Sequence, residues 1–116
     1  MTTVYGIANC STVQKARLWL GENGVSYEFH DYKKLGVDRS SLVIWCEKFG
    51  WEKVLNRSGM MWRKASGEDK QKVVDTGSAI EFMLKIPTAI KRPVIEFEND
   101  FLIGFNIDEY KAKLIK

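Results

Sequence analysis

No stretch of this sequence approaches the ~20 consecutive apolar residues a membrane-spanning helix requires, which excludes a helical membrane protein. The polar start Met1-Thr2-Thr3 runs into a strand-like segment without a secretory h-region, and a cytoplasmic location is expected. An excess of one charge is missing too. Eighteen basic residues stand against 15 acidic ones, and the net charge of +3 is too mild and too evenly spread for a nucleic-acid footprint. A local anion site stays open. There is one histidine, His30, and no metal-ligand spacing, so no metal and no bound cofactor are expected. The cysteines number two, Cys10 and Cys46. A compact cytoplasmic domain rarely relies on a structural disulfide, so both are read as free thiols with separate jobs. No repeat or low-complexity segment appears.

What is present is an ordinary globular composition, 45% hydrophobic and 28% charged over 116 residues. That is enough to bury a core without staples, and a single, monomeric domain is expected. Residues Thr3 to Ile7 are β-prone, then Ala8-Asn9-Cys10-Ser11 breaks the pattern. Val13, Ala16 and Leu20 recur at helical spacing, with Gly21 and Gly24 bracketing the stop. Val25, Tyr27 and Phe29 alternate in a second strand over Val25 to Tyr32, completing a right-handed parallel β-α-β unit.

Asp38 or Ser40 caps the next predicted helix, whose Leu42, Trp45, Cys46 and Phe49 form an apolar stripe. Short helices such as Glu52 to Asn56 follow, joined by loops at Ser58-Gly59 and Ser66-Gly67. Trp45, Trp51 and Trp62, with Met60 and Met61, are expected to pack this part of the chain. Ser78-Ala79-Ile80-Glu81 has capping-box spacing, and the helix it opens stops at Pro87. Val94 to Glu98 and Phe101 to Gly104 then read as a hairpin turning at Asn99-Asp100. A last helix starts from Asn106 with Tyr110 and Leu114 facing inward. The order is β-α-β, a helical block, then β-β-α. It predicts an α/β, thioredoxin-like fold with a mixed four-stranded sheet, its core at about 1–35 and 79–116 and an all-helical insert at about 36–78.

Cys10 falls at the start of the first helix. A helix N-terminus presents unpaired N–H groups and a positive dipole end, and it lowers a thiol pKa from ~8.5 into the range of roughly 3.5 to 7.5. Ser11, Thr12 and the following amides are candidates to hold the thiolate or an incoming anion. Asn9 is a candidate to orient the turn or a substrate, and Lys15 adds a weak positive charge one turn in. Taken alone, Cys10 is better read as a small residue in a tight strand-to-helix turn.

The segment Tyr5-Gly6-Ile7-Ala8-Asn9-Cys10-Ser11-Thr12-Val13-Gln14-Lys15-Ala16-Arg17, the strand Phe29-His30-Asp31-Tyr32 and the later Lys91-Arg92-Pro93-Val94-Ile95 resemble the ArsC/Spx family, and its YffB-like subgroup in particular. The likeness runs over nearly the whole chain. It implies a thioredoxin-like fold with a helical insert, Cys10 as nucleophile, and a cis peptide at Arg92-Pro93 that faces it. It also implies that Arg92 approaches the site anion, where a guanidinium can both stabilise a thiolate and fork onto an oxyanion. Arg57 matches a second family arginine, with Arg63 as its rival if the register slips. The third falls near Gly104-Phe105, where no arginine stands. That departure weakens arsenate as the natural substrate.

The Cys-x-x-Cys switch of Spx-type regulators is absent, since Val13 lies three residues past Cys10. Cys46, on a predicted apolar stripe, is read as core. The resolving thiol must then come from outside, and glutathione is the expected co-substrate. His30 is expected to be solvent-facing or hydrogen-bonded on its strand rather than a base or ligand. The expected function is a glutathione-dependent thiol reductase acting on a small thiol or oxyanion substrate. The alternatives are an Spx-like regulator that binds RNA polymerase, and a glutathione- or anion-binding protein without turnover.

Overall fold

The computed structural model describes residues 1–115. Alternation in the first segment yields β1 (Thr2–Gly6), which buries Val4 and Gly6. β2 (Tyr27–Asp31) runs parallel to β1, whereas β3 (Val94–Phe97) lies antiparallel on its other side and pairs with β4 (Asp100–Ile103). The sheet order β2-β1-β3-β4 is the mixed thioredoxin-like arrangement predicted from the sequence. β2 is shorter than the predicted Val25 to Tyr32. Its exit bends because Asp31 Oδ1 accepts the Lys33 N–H at 3.0 Å, an Asx turn that sends the chain into α2 (Tyr32–Leu35).

The chain divides into two compact units, one made of residues 1–35 with the segment from Arg92 onward, the other Gly36–Lys91. In the first unit, α1 (Ser11–Glu22) buries Val13, Ala16, Trp19 and Leu20. Ala16, Trp19 and Leu20 join Val4, Ile95, Phe97 and Leu102 of the sheet and Tyr110 of α8 (Ile107–Leu114) in one apolar core. At ~25 cal/mol per Å² of apolar area, this shared burial dominates the unit's stability. Asn106 caps α8 as predicted, accepting the Glu109 N–H at 3.0 Å. The hairpin turns at Glu98 and Asn99, with φ of 44° and 64°, one residue earlier than predicted. A two-residue type I′ turn needs positive φ at both central positions, and it leaves Asp100 to open β4 by pairing with Phe97 of β3.

The second unit holds α3 (Arg39–Phe49), α4 (Trp51–Val54), α5 (Met60–Lys64), α6 (Gly67–Lys72) and α7 (Thr76–Lys85), then a single 3₁₀ turn at Pro87–Ala89. It extends to Lys91 rather than ending near 78, because α7 packs on α3 and α4. The backbone is tied the same way: Asn56 N–H donates to Ala89 O, and Lys91 N–H to Val54 O, each at 2.8 Å. α7 starts before the predicted Ser78 cap. Asp75 is the cap, with its Oδ1 accepting the Ser78 N–H at 2.9 Å while Ser78 Oγ accepts the Asp75 N–H at 3.1 Å. Leu42, Trp45 and Cys46 are buried on α3 as the stripe predicts. Met60 and Met61 are not core: α5 buries no residue, and only Trp62 turns inward, edge-on to Phe82 at 5.3 Å.

Candidate thiol site

The sheet register places the site before any side chain is considered. Gly6 at the end of β1 pairs with Asp31, and Tyr5 pairs with Val94. The loop to Cys10 therefore leaves β1 at the same edge where Tyr32 follows β2 and Arg92-Pro93 precedes β3. Neighbouring strands are about 4.8 Å apart, so Tyr32 and Arg92 flank the exit of the central strand from either side, within reach of long side chains.

The loop itself is tight. Cys10 N–H donates to Ile7 O at 3.3 Å, and Gln14 Nε2 reaches back to Ala8 O at 3.1 Å. Gly6 permits this approach of helix to strand, since a Cβ there would lie 2.9 Å from Val13 Cγ2. Cys10 is the N-cap of α1, with extended backbone (φ −98°, ψ 126°), and its carbonyl accepts the Gln14 N–H at 2.9 Å. Ser11 and Thr12 are the first two helical residues, both exposed, as are Asn9 and Lys15.

Cys10 is half-buried, and burial pushes its thiol pKa up. Opposing groups outweigh that: the Val13 amide, the Arg92 guanidinium and the Thr12 amide favour the thiolate and bring the pKa below the ordinary value. The neutral side chain makes no regular capping hydrogen bond, so these amides act chiefly on the charged form. Arg92 is itself half-buried. Desolvation works against its charge, but hydrogen bonding and attraction to Cys10 and Tyr32 hold the guanidinium protonated more firmly than usual. The Arg92-Pro93 peptide is cis, as the family resemblance implies, and Pro93 O accepts the Gly104 N–H at 2.8 Å. Gly104, where a third arginine was sought, is thus a buried backbone support with φ of 78°.

Tyr32 joins the site without a cue in the sequence. Its place there is only the end of a strand, yet it is 1% exposed, and its hydroxyl is hydrogen-bonded to Arg92. Burial drives its pKa up to about 12, so the phenol stays neutral and holds the guanidinium as an acceptor.

The remaining candidates have surroundings of their own. Arg57 and Arg63 belong to the second unit, both exposed; the Arg57 guanidinium lies 5.4 Å from the Trp51 ring centroid, and the Arg63 carbonyl accepts Lys70 Nζ. Cys46 is buried, which raises its pKa to about 11. His30 is half-buried, with its ring 5.0 Å from that of Tyr5. Among the described residues no group of His, Cys, Asp and Glu is arranged to hold a metal, and no helix is long and apolar enough to cross a membrane.

Fold and site together define a thioredoxin-like protein organised around one helix-capping cysteine. The chain belongs to the ArsC family, whose sequence profile matches residues 5–113. It is 47% identical to a YffB protein of solved structure, with a TM-score of 0.94 and coverage of 98% of this chain and 99% of that one. An arsenate reductase (ArsC) related protein from Brucella melitensis is 42% identical, with a TM-score of 0.75 and coverage of 99% and 95%. The global transcriptional regulator Spx of Streptococcus agalactiae is 26% identical over 116 residues, covering 98% of this chain and 83% of the regulator.

Proposed function

We propose that this protein is a cytoplasmic, glutathione-dependent thiol reductase of the arsenate reductase-like kind, working through Cys10 alone. The observation that carries this reading is a thiol held below its ordinary pKa at the head of α1, beside a guanidinium that is itself fixed by a buried phenol.

The chemistry follows from those positions. Cys10 thiolate attacks the glutathione sulfur of a mixed disulfide R–S–S–G, forming Cys10–S–S–G and releasing R–S⁻, which takes a proton from solvent. The Thr12 and Val13 amides and Arg92 stabilise the charge as it enters and leaves Cys10. Glutathione thiolate then attacks the Cys10–S–S–G bond, giving oxidised glutathione and regenerating the thiolate. The net change is R–S–S–G plus glutathione to R–SH plus oxidised glutathione. The external thiol is needed because Val13 stands where a resolving cysteine would, while Cys46 is buried and hard to ionise. Asn9, Ser11, Thr12 and Lys15 line the approach as binding groups.

The test is turnover with glutathione on two substrates, a glutathione mixed disulfide and arsenate. The mixed disulfide should be reduced, and Cys10→Ser should abolish the reaction. Arsenate should be reduced far more slowly, given that Gly104 and Phe105 stand where the third arginine is expected. No catalysed turnover of either would overturn the reading.

The 26% identity to Spx, along an alignment covering 98% of the chain, favours a second reading, a regulator that binds RNA polymerase constitutively. It predicts retention of purified polymerase on the immobilised protein, undiminished by Cys10→Ser. Recovery of no polymerase subunits would remove it.

A further inference from the structure

Beside the Cys10 loop lies a cleft of about 420 Å³ of which the chemistry above uses only Asn9. One wall is the run leading into the nucleophile, Ile7, Ala8 and Asn9, and the other is Asp31, Lys33 and Lys34 where β2 passes into α2. Its volume falls within the ~300–1,000 Å³ usual for small-ligand sites. The charges are set in a definite order. Asp31 is half-buried and anchored by the Lys33 N–H on its Oδ1, so its carboxylate is held at the cleft. Lys33 and Lys34 are exposed, and among the described residues neither is ion-paired. Two exposed lysines and one anchored carboxylate thus line the same space, beside the apolar side chain of buried Ile7.

A plain oxyanion is a poor fit, because Asp31 repels it, and so is a simple cation, because the lysines outnumber the carboxylate. The complement is a zwitterion. We propose that this cleft binds the α-amino-acid end, ammonium and carboxylate on one carbon, of the thiol or disulfide whose sulfur meets Cys10. Lys33 and Lys34 take the carboxylate, Asp31 takes the ammonium, and Ile7 and Ala8 contact the methylenes between. The inference rests on the reductase reading and gives it a specificity determinant: a γ-glutamyl arm lies in this cleft while the substrate sulfur is at Cys10, the residue after Asn9.

Two disulfides test it, glutathione disulfide, which carries the zwitterion, and bis(2-hydroxyethyl) disulfide, which has no charge. The rate of mixed-disulfide formation at Cys10 is read by intact mass for each, and their ratio cancels any change in the thiol's own reactivity. Lys33→Ala/Lys34→Ala should lower the ratio on the order of tenfold, the scale of losing two exposed ionic contacts. Asp31→Asn separates specific binding from simple charge attraction. It preserves the Oδ1 acceptor for the Lys33 N–H but loses the ammonium partner, and the ratio should fall again, whereas attraction of the anionic disulfide by net charge would make it rise. An unchanged ratio in the lysine variant, or a rise with Asp31→Asn, overturns the cleft while leaving the reductase reading intact. Wild-type Cys10 inert toward both disulfides overturns the reductase reading, and the cleft with it.

Discussion

Cys10 and Cys46 carry the same atom in one chain and are pushed in opposite directions. Cys46 sits in the last turn of α3, where amides are already spent on the helix ladder, and burial alone acts on it, raising the pKa to about 11. Cys10 sits at the head of α1, where the Thr12 and Val13 amides have no partner within the helix. Arg92 adds a positive charge, and together they outweigh the same burial effect. What separates a packing thiol from a nucleophilic one is its place along a helix and the cation opposite it.

The sharpest way to break this contrast is to remove each thiol in turn. Cys10→Ser should abolish alkylation near neutral pH, while Cys46→Ala should leave it within about twofold, since Cys46 stays protonated there. Mass-resolved alkylation at pH 7 tells them apart. Arg92→Ala should slow exchange with glutathione disulfide on the order of 10²-fold, the scale of losing one preorganised charge-stabilising group. Exchange rates within a few-fold of wild type would leave Arg92 only a structural part.

Gly6→Ala attacks the framework instead. The new Cβ would press on Val13 at 2.9 Å, displacing the start of α1 and costing about 1–3 kcal/mol. Denaturant unfolding measures this, and an unchanged midpoint would mean that the helix start yields freely. A smaller effect is expected for Tyr32→Phe, which keeps the ring in its buried place and removes only the acceptor for Arg92. Exchange should slow a few-fold with stability nearly preserved, and a rate equal to wild type would remove Tyr32 from the site.

The smallest signal belongs to Cys46. Its folded pKa is raised, so below the ordinary value of 9.0 it imposes no pH dependence. Between pH 9.0 and about 11 the unfolded chain gives up a proton that the fold retains, and stability falls as pH rises. Cys46→Ala should flatten that slope in an alkaline unfolding series. For Cys10 the sign reverses: its depressed pKa stabilises the fold above the unfolded value and loses that contribution as pH falls through the folded one.

Much of this was legible in residue order, and the failures were local. Alternation and helical spacing placed the four strands and α1, because each buries one face in a shared core and the pattern records that burial. A strand followed at once by a helix marks Cys10 as an N-cap, but only the family resemblance marks it as a nucleophile. Tyr32 was missed for want of tertiary information: only the register of Gly6 against Asp31 and Tyr5 against Val94 brings it and Arg92 to one edge. The cap of α7 went to Ser78 instead of Asp75 because both carry capping oxygens, and the two engage each other reciprocally. Met60 and Met61 were assigned to core on residue type, but α5 is a five-residue helix with no buried face of its own. The 420 Å³ cleft joins residues over twenty positions apart and had no linear signature.

The central claim is that the fold activates Cys10, and the pH profile of its alkylation by a neutral reagent tests this directly. In a Cys46→Ala background the midpoint should lie below the ordinary thiol value, and adding Arg92→Ala should move it upward. A midpoint at the ordinary value, unmoved by Arg92→Ala, would contradict the account.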